Sequence, residues 1–241
     1  MPTYEYHATS ADVARAAALD AVTVLDRAIR EYGSATWVVA GGTSPTLAYR
    51  TLVNELADSL DWSKVTAVIG DERVVPIDDP DSNWGLISGE LFRAGPTSLI
   101  KQVSPAFGRD EATQAFEYEE ALRALPSNAN GLPRLDLLWL GVGEDGHTLS
   151  LFPGHPDNVA TDALVIAVHN SPKPPPTRIS LTLRALDGAI VARVFATGAG
   201  KKDALAEARQ WGTLPIAVAT ARIEAAGGEV TWLYDSAAAP E

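Results

Sequence analysis

The sequence contains no cysteine, and that absence excludes several kinds of chemistry. Disulfide bonds, thiolate nucleophiles, cysteine-ligated zinc and iron–sulfur clusters all depend on that side chain. Residues 1–20 also lack the basic segment and the continuous apolar segment of a signal peptide. No apolar stretch reaches the roughly 18 residues that a membrane-spanning helix needs. We therefore expect a cytoplasmic protein with no membrane partner.

Basic residues are also scarce. The chain carries 19 Lys and Arg against 31 Asp and Glu, which gives a formal net charge of −12 at pH 7. A surface with this excess of negative charge repels polyanions, so we expect no nucleic-acid partner. An anionic small molecule would bind only where a local cluster of basic side chains overcomes the overall charge.

The chain does contain a regular alternation of apolar and amphipathic segments, and 46% of its residues are hydrophobic. Predicted helices cover 11–33, 44–56, 82–92, 109–125 and 200–211, and predicted strands cover 35–40, 64–70, 135–141, 163–170, 189–198 and 229–235. Ser10 and Ser44 are the expected N-caps of the first two helices. Because strands alternate with helices, we predict one α/β domain over residues 1–241, with a mainly parallel sheet flanked by helices on both faces.

Four glycine-bearing polar segments, at 41–45, 70–73, 141–147 and 198–202, each follow a predicted strand. In parallel α/β sheets the carboxyl ends of the strands meet at one edge, and ligands bind there. The sequence therefore predicts a site built from these four segments.

The third segment raises the question of a nucleotide. Gly141, Gly143 and Gly146 form the pattern G-x-G-x-x-G, which is typical of dinucleotide-binding turns. Such a turn needs a long helix directly after it, and Pro153–Gly154 leaves room for about two helical turns. Two acidic residues in the loop would also repel a pyrophosphate. The residues in and after this loop therefore disfavour a dinucleotide-binding turn, although the glycine pattern matches one.

Asp145 and His147 in the same loop favour acid–base chemistry. A neutral imidazole, with an ordinary pKa of about 6.5, can accept a proton at pH 7. Two other interpretations stay open: a glycine turn that only reverses the chain, and a metal site that adds His155 as a third ligand, although no regular ligand spacing supports the metal. A serine nucleophile is disfavoured because no G-x-S-x-G motif is present.

The first segment, AGGTSP at 40–45, is typical of a phosphate-binding turn at a helix N-terminus. Gly42 lets the backbone approach an anion, while Thr43 and Ser44 offer hydroxyl groups. Arg73, Arg178 and Lys201 occupy comparable loop positions, and together they would supply the local positive charge. Each of them alone is more typical of a solvated surface charge. Asp71 could orient Arg73 or contact the reacting atoms.

Six segments together resemble the 6-phosphogluconolactonase family: AGGTSP, GDERVVP, DSNWG, LGVGEDGHTLSLFPG, PKPPPTRISLT and TGAGKKDAL. They follow the family's order between about residues 37 and 205, and GEDGHTLSLFPG is the most specific of them. The resemblance implies a modified Rossmann-like α/β fold, shared with glucosamine-6-phosphate isomerases and deaminases. It also implies hydrolysis of 6-phospho-D-glucono-1,5-lactone in the pentose phosphate pathway, without a metal or an organic cofactor. We expect a small phosphorylated sugar lactone as partner, and a monomer or a weak oligomer.

The resemblance places the general base at His147. The phosphate contacts that it implies are Gly42, Thr43, Ser44, Arg73, Arg178 and Lys201. Asp71 and Asp145 match acidic positions shared with the isomerase relatives, and Leu149 stands where a small residue is common. Backbone N–H groups of residues 141–147, or Arg73, are the candidates for stabilising the oxyanion.

Two other functions remain open from the sequence. Aminosugar-phosphate isomerases typically continue the Asp-Gly-His segment with IAFNEP, which supplies a carboxylate for ring opening, whereas this chain continues with TLSLFPG. A sugar-phosphate-binding protein without catalysis would keep the basic cluster and have no need of His147.

Overall fold

The computed structural model describes residues 1–158, 161–210 and 212–240, which contain ten strands and seven helices. In chain order they are β1 (Thr3–His7), α1 (Ser10–Tyr32), β2 (Ala35–Val39), α2 (Thr43–Glu55), β3 (Val65–Ile69), β4 (Asp71–Arg73), α3 (Asn83–Glu90), β5 (Lys101–Val103), α4 (Glu111–Arg123), β6 (Leu137–Gly141), β7 (Val165–Val168), β8 (Arg178–Leu181), α5 (Leu183–Leu186), β9 (Val191–Ala196), α6 (Lys202–Gln210), α7 (Pro215–Ala225) and β10 (Glu229–Asp235). None of these helices combines the length and the apolarity needed to cross a bilayer. The predicted helix at 200–211 extends to Trp211, which lies outside the described residues.

The central sheet has seven strands in the order β1-β10-β9-β6-β2-β3-β5, and every neighbouring pair is parallel. Helices flank this sheet, and α1 lies against β2, β6, β9 and β10. The strands are almost wholly apolar, as expected for strands covered on both faces. The predicted α/β architecture with a mainly parallel sheet is confirmed.

A second, antiparallel sheet of three strands, β4-β8-β7, stands beside the first. The chain crosses from one sheet to the other at Gly70: its N–H donates to the carbonyl of Val39 in β2, and its carbonyl accepts from Leu181 in β8. Residues 71–73 were expected to be loop, but they form β4 and pair with β8. This crossing brings the polar ends of β4 and β8 to the carboxyl edge of the central sheet.

An aromatic cluster supports that edge from below. The rings of Trp37 and Tyr49 lie 4.8 and 5.2 Å from the ring of Trp139, and Phe195 lies 5.0 Å from it on the other side. The Tyr49 hydroxyl accepts from the N–H of Ala40 and donates to the carbonyl of the same residue. The core thereby fixes the start of the AGGTSP turn.

Two predicted helix caps are wrong. Thr9, not Ser10, caps α1, because its hydroxyl accepts from the N–H of Asp12 while the Asp12 carboxylate accepts from the N–H of Thr9. Helix α2 begins at Thr43 with Gly42 as its N-cap, at φ 98°, and no side chain caps it. Ser44, the expected cap, instead hydrogen-bonds to the hydroxyl of Thr197.

Candidate active site

A cavity of about 450 Å³ opens at the carboxyl ends of β2, β3 and β6, next to β4 and β8. All four predicted segments contribute to its wall. Of the predicted site residues, those on the wall are Gly42, Asp71, Arg73, His147, Arg178 and Lys201. Asp145 stands behind His147, and Thr43 and Ser44 lie at the adjoining N-terminus of α2.

His147 and Asp145 form a hydrogen-bonded pair. The ring Nδ1 of His147 lies 2.5 Å from Oδ1 of Asp145, which also accepts from the backbone N–H of His147. Because a carboxylate only accepts, Nδ1 carries the proton and Nε2 keeps its lone pair. Within the described residues Nε2 has no hydrogen-bond partner, and the ring packs on Phe152 at 4.7 Å. The pair thus presents a neutral, oriented imidazole.

The surroundings favour that neutral form. Burial lowers the pKa of His147 below its ordinary value of 6.5, and the hydrogen bond and charge of Asp145 offset this only in part. Burial raises the pKa of Asp145, but the hydrogen bond and charge of His147 outweigh it and lower that pKa overall. At pH 7 the pair therefore consists of a carboxylate and a neutral imidazole.

The glycines of the loop make room for this pair. A Cβ on Gly143 would lie 2.0 Å from Nδ1 of His147 and 2.5 Å from Oδ1 of Asp145. Gly146 has φ 77°, a backbone conformation that favours glycine, and a Cβ there would collide with Leu214. The G-x-G-x-x-G pattern thus brings a histidine and an aspartate together within a tight loop.

The described contacts of Asp71 do not include Arg73. It pairs with Arg178, whose Nη1 is 3.9 Å from Oδ2, and it accepts from the hydroxyl of Ser150 at 2.7 Å. Arg73 instead donates to the carbonyl of Asp81, and its buried Nε has no partner among the described residues. The idea that Asp71 orients the side chain of Arg73 is therefore wrong.

Arg178 is buried, with 4% of its side chain exposed, so it is no solvated surface charge. Its Nε donates to the carbonyl of Pro175, and its Nη2 donates to the carbonyls of Lys173 and Pro174. Three of its hydrogen bonds hold the proline-rich segment 173–175 in place. Only Nη1 remains directed to Asp71, so Arg178 is chiefly an anchor for that segment.

Lys201 follows the turn at 198–200, and burial lowers its pKa while the nearby Glu144 carboxylate opposes that shift. A Cβ on Gly200 would lie 2.4 Å from Oε1 of Glu144, so this turn closely approaches the loop that carries Asp145 and His147. The ammonium of Lys201 thus faces the cavity beside a carboxylate.

Sequence reasoning missed two residues on the wall, Asn83 and Lys173, and one behind it, Glu72. The fully buried Glu72 accepts four hydrogen bonds: from the N–H groups of Arg73, Asn83 and Trp84, and from the hydroxyl of Ser82. Burial raises the pKa of Glu72 despite these four donors. All three residues belong to the six segments that resemble the 6-phosphogluconolactonase family. No sequence spacing predicts the contact between residues 72 and 83 or between residues 147 and 173.

Within the described part of the chain, no three His, Asp or Glu side chains converge as metal ligands do. His155, the third ligand considered from the sequence, lies 3.7 Å from Asp157 and 3.4 Å from the carbonyl of Asn170. The structure therefore does not assemble the ligand set Asp145, His147 and His155.

A family model described as "Glucosamine-6-phosphate isomerases/6-phosphogluconolactonase" matches residues 8–232. The chain belongs to this family. A family member from Streptomyces coelicolor, named 6-phosphogluconolactonase, is 36% identical over 249 residues, which span 100% of this chain and 94% of the relative. The resemblance drawn from the six sequence segments is confirmed.

Solved structures of the family share the fold. The 6-phosphogluconolactonase from Trypanosoma brucei is 28% identical, with a TM-score of 0.83 over 99% of this chain and 97% of that one. A monomeric glucosamine-6-phosphate deaminase is 19% identical, with a TM-score of 0.77 over 98% of each chain. The fold therefore extends to both branches of the family, and only the site can distinguish them.

Proposed function

We propose that this chain hydrolyses 6-phospho-D-glucono-1,5-lactone to 6-phospho-D-gluconate, a step in the oxidative branch of the pentose phosphate pathway. The observation that carries the proposal is the Asp145–His147 pair, whose neutral imidazole lines a cavity that also holds Arg73 and Lys201. The names of the relatives support the same substrate. The cavity wall carries four basic side chains against two acidic ones, Asp71 and Glu144, in a chain of net charge −12, and an anionic substrate requires such a local excess of positive charge.

In the proposed reaction His147 acts as general base. Its Nε2 accepts a proton from a water molecule while the water oxygen attacks C1 of the lactone, and the carbonyl electrons move onto the C1 oxygen. The bond between C1 and the ring oxygen then breaks, and the ring oxygen takes the proton from His147. Asp145 keeps the imidazole oriented and stabilises its charged form between the two steps.

The phosphate group of the substrate would bind on the part of the cavity wall that is formed by Arg73, Lys201 and the N-terminus of α2. Arg73 has a buried Nε that no described residue satisfies, and Lys201 presents an ammonium. The N-terminus of α2, from Gly42 to Ser44, adds backbone N–H groups that no side chain caps. Arg178 contributes less than the sequence suggested, because most of its donors are already engaged.

Direct assay of freshly prepared 6-phosphogluconolactone, corrected for spontaneous ring opening, tests the proposal. We expect rapid hydrolysis of the phosphorylated lactone, much slower hydrolysis of the unphosphorylated lactone, and no ammonia from glucosamine 6-phosphate. Ammonia release at a rate comparable to lactone hydrolysis would overturn the assignment in favour of the deaminase branch. Equal hydrolysis of the two lactones would refute the phosphate site. The cytoplasmic location, the single domain and the state of association stay predictions.

A further inference from the structure

Lys173 stands on the cavity wall next to the general base. Its Nζ lies 3.4 Å from Oδ1 of Asp145 and 3.4 Å from Nδ1 of His147. Arg73 and Arg178 make their hydrogen bonds elsewhere, to Asp81 and to the segment 173–175. Lys173 is thus the cation that the described contacts place beside the Asp145–His147 pair.

The backbone of Lys173 is held firmly. The hydroxyl of Ser171 donates to the carbonyl of Lys173 and accepts from its N–H, and the N–H of Ser171 donates to the carbonyl of Pro176. The buried Arg178 donates to the carbonyls of Lys173, Pro174 and Pro175. Four of these hydrogen bonds involve the backbone of Lys173 or its neighbour Pro174. They fix the position of the Lys173 Cα, from which the side chain extends.

The side chain itself is less constrained. It is 43% exposed, and its one hydrogen bond here, to Oδ1 of Asp145, is 3.4 Å long, near the outer limit; its approach to Nδ1 of His147 is a contact between two donors. A four-carbon stem can move its ammonium by several ångströms at small cost. The ammonium can therefore leave Asp145 for a stronger acceptor that appears beside His147.

We propose that Lys173 is a further catalytic residue, whose ammonium binds the C1 oxygen of the lactone as it becomes an oxyanion and then binds the carboxylate of the product. This inference rests on the proposed function. The water that His147 activates must attack C1, so the negative charge develops within reach of a group beside the imidazole. Lys173 transfers no proton in this step; its N–H groups only stabilise the charge.

The other groups that could donate to the oxyanion already have acceptors. The N–H of Gly143 already donates to the carbonyl of His147, and the N–H of Gly146 donates to the carbonyl of Gly143. Arg73 is tied to Asp81, on the side of the cavity that α3 borders. Lys173 has neither restriction.

The test compares Lys173→Met with Lys173→Arg, and uses Lys101→Met as a matched control, because Lys101 is exposed on β5 and absent from the cavity wall. Loss of one oxyanion donor costs about 10²–10³-fold in kcat, and the exposure of Lys173 reduces this, so we expect a fall of about 10–100-fold for Lys173→Met. Lys173→Arg should retain part of the rate, and Lys101→Met should retain all of it. Melting temperatures show whether each variant is folded.

Ligand affinities separate the two ends of the cavity. In Lys173→Met, we expect weaker inhibition by 6-phosphogluconate but unchanged inhibition by inorganic phosphate, since only the former carries a carboxylate. The acid limb of the pH profile of kcat/KM should also move to higher pH, because Asp145 and Asp71 then act on His147 without the opposing ammonium. A merely structural role would move neither quantity.

Each outcome decides the proposal. Full kcat in a folded Lys173→Met would overturn it and leave the proposed function intact. A parallel loss of affinity for inorganic phosphate would assign Lys173 to the phosphate site and refute it as well. A wild-type protein that does not hydrolyse the lactone would refute both the function and the role of Lys173.

Discussion

The imidazole of His147 is neutral at physiological pH because its burial outweighs the attraction of Asp145. Its side chain is 19% exposed, and one face packs on Phe152. Without burial, the Asp145 carboxylate would raise the pKa of His147. A larger fraction of the imidazole would then be protonated at pH 7 and unable to accept a proton. From the sequence alone the balance of the two effects was open, whereas in the structure burial outweighs Asp145 and lowers the pKa of His147.

Replacing His147 tests its proposed role as general base. His147→Gln keeps size and some hydrogen bonding but cannot accept a proton, so we expect kcat to fall about 10²–10⁴-fold with little change in melting temperature. Asp145→Asn should lower kcat less, because the base remains and only its orientation and charge stabilisation are disturbed. A folded His147→Gln variant with more than about a tenth of the wild-type kcat would remove His147 from the mechanism.

The pH profile gives a second measurement on the same residue. As the proposed general base, His147 acts when unprotonated, so wild-type kcat/KM, which reports the pKa of the free enzyme, should be constant near pH 7 and fall as the pH drops through the pKa of His147. Because burial lowers that pKa, the midpoint should lie below pH 6.5. A midpoint above 6.5 would show that Asp145 dominates. The titration of the His147 ring by NMR, with His147→Gln as the assignment control, measures the same pKa without turnover.

At the scale of elements, the first turn of α3 is joined to β4 by a single buried carboxylate. Oε1 of Glu72 accepts from the N–H groups of Arg73 and Asn83, and Oε2 accepts from Trp84 and from the hydroxyl of Ser82. Asn83 then donates to the carbonyl of Asp71, and its Oδ1 fills the space beside Gly41. Glu72 thereby positions three segments of the cavity wall that are distant in sequence.

Glu72→Gln should be strongly destabilising. An amide presents an NH₂ group on one side, and each side of Glu72 faces at least one backbone N–H, so one donor is left facing another donor. A buried donor without an acceptor costs about 1–3 kcal/mol, and we expect a loss near the upper end in urea-induced unfolding. Glu90→Gln on the same helix is the control: its partly exposed pair with Arg50 should contribute at most about 1 kcal/mol. Equal effects of the two changes would refute the role of Glu72.

The elements that the sequence predicts well are those with long apolar segments. Strands β2, β3, β6, β9 and β10 lie within two residues of their predicted bounds, because buried parallel strands are continuously apolar. Strands β1 and β5 and helix α7 were not predicted. The first two are short edge strands with exposed residues, and their extended form depends on pairing with β10 and β3.

The site was predictable in part for a similar reason. The strand ends and their glycines locate His147, Asp71, Arg73 and Lys201 at one edge, since topology alone brings strand ends together. The role of Arg178 as an anchor, and the approach of Lys173 to His147, depend on how the proline-rich segment folds back. Such a long-range contact between two loops leaves no periodic pattern in the sequence.

At the scale of the whole molecule, a net charge of −12 surrounds a cavity that concentrates four basic side chains. The field of the whole chain repels a phosphorylated substrate, and the local cations must exceed that repulsion at short range. Binding of an anion should therefore relieve repulsion among these cations and stabilise the folded state. The stabilisation should appear in the unfolding of the entire protein.

Thermal unfolding with product measures this effect. At about 100 times its Kd, 6-phosphogluconate should add about 2.7 kcal/mol to the free energy of unfolding. For a chain of this size that corresponds to a rise of about 5–11 °C in Tm. Gluconate should give a much smaller rise at the same concentration. Lys201→Met loses a charge-assisted contact worth about 1.5–3 kcal/mol, so the rise should fall by about half or more, whereas Lys101→Met should keep it. Equal shifts with gluconate would contradict the phosphate site.

The pairing of β1 with β10 has a consequence for synthesis on the ribosome. The hydroxyls of Thr3 and Thr231 lie 2.8 Å apart, although 228 residues separate them along the chain. Within the described part of the chain, β1 pairs with no strand of the central sheet except β10. At translation rates of about 5–20 residues per second, β1 therefore waits roughly 10–45 seconds for its partner to be made. During that interval the backbone N–H and C=O groups of β1 can hydrogen-bond to another chain. We therefore expect that β1 can pair wrongly between nascent copies that are being translated from the same mRNA.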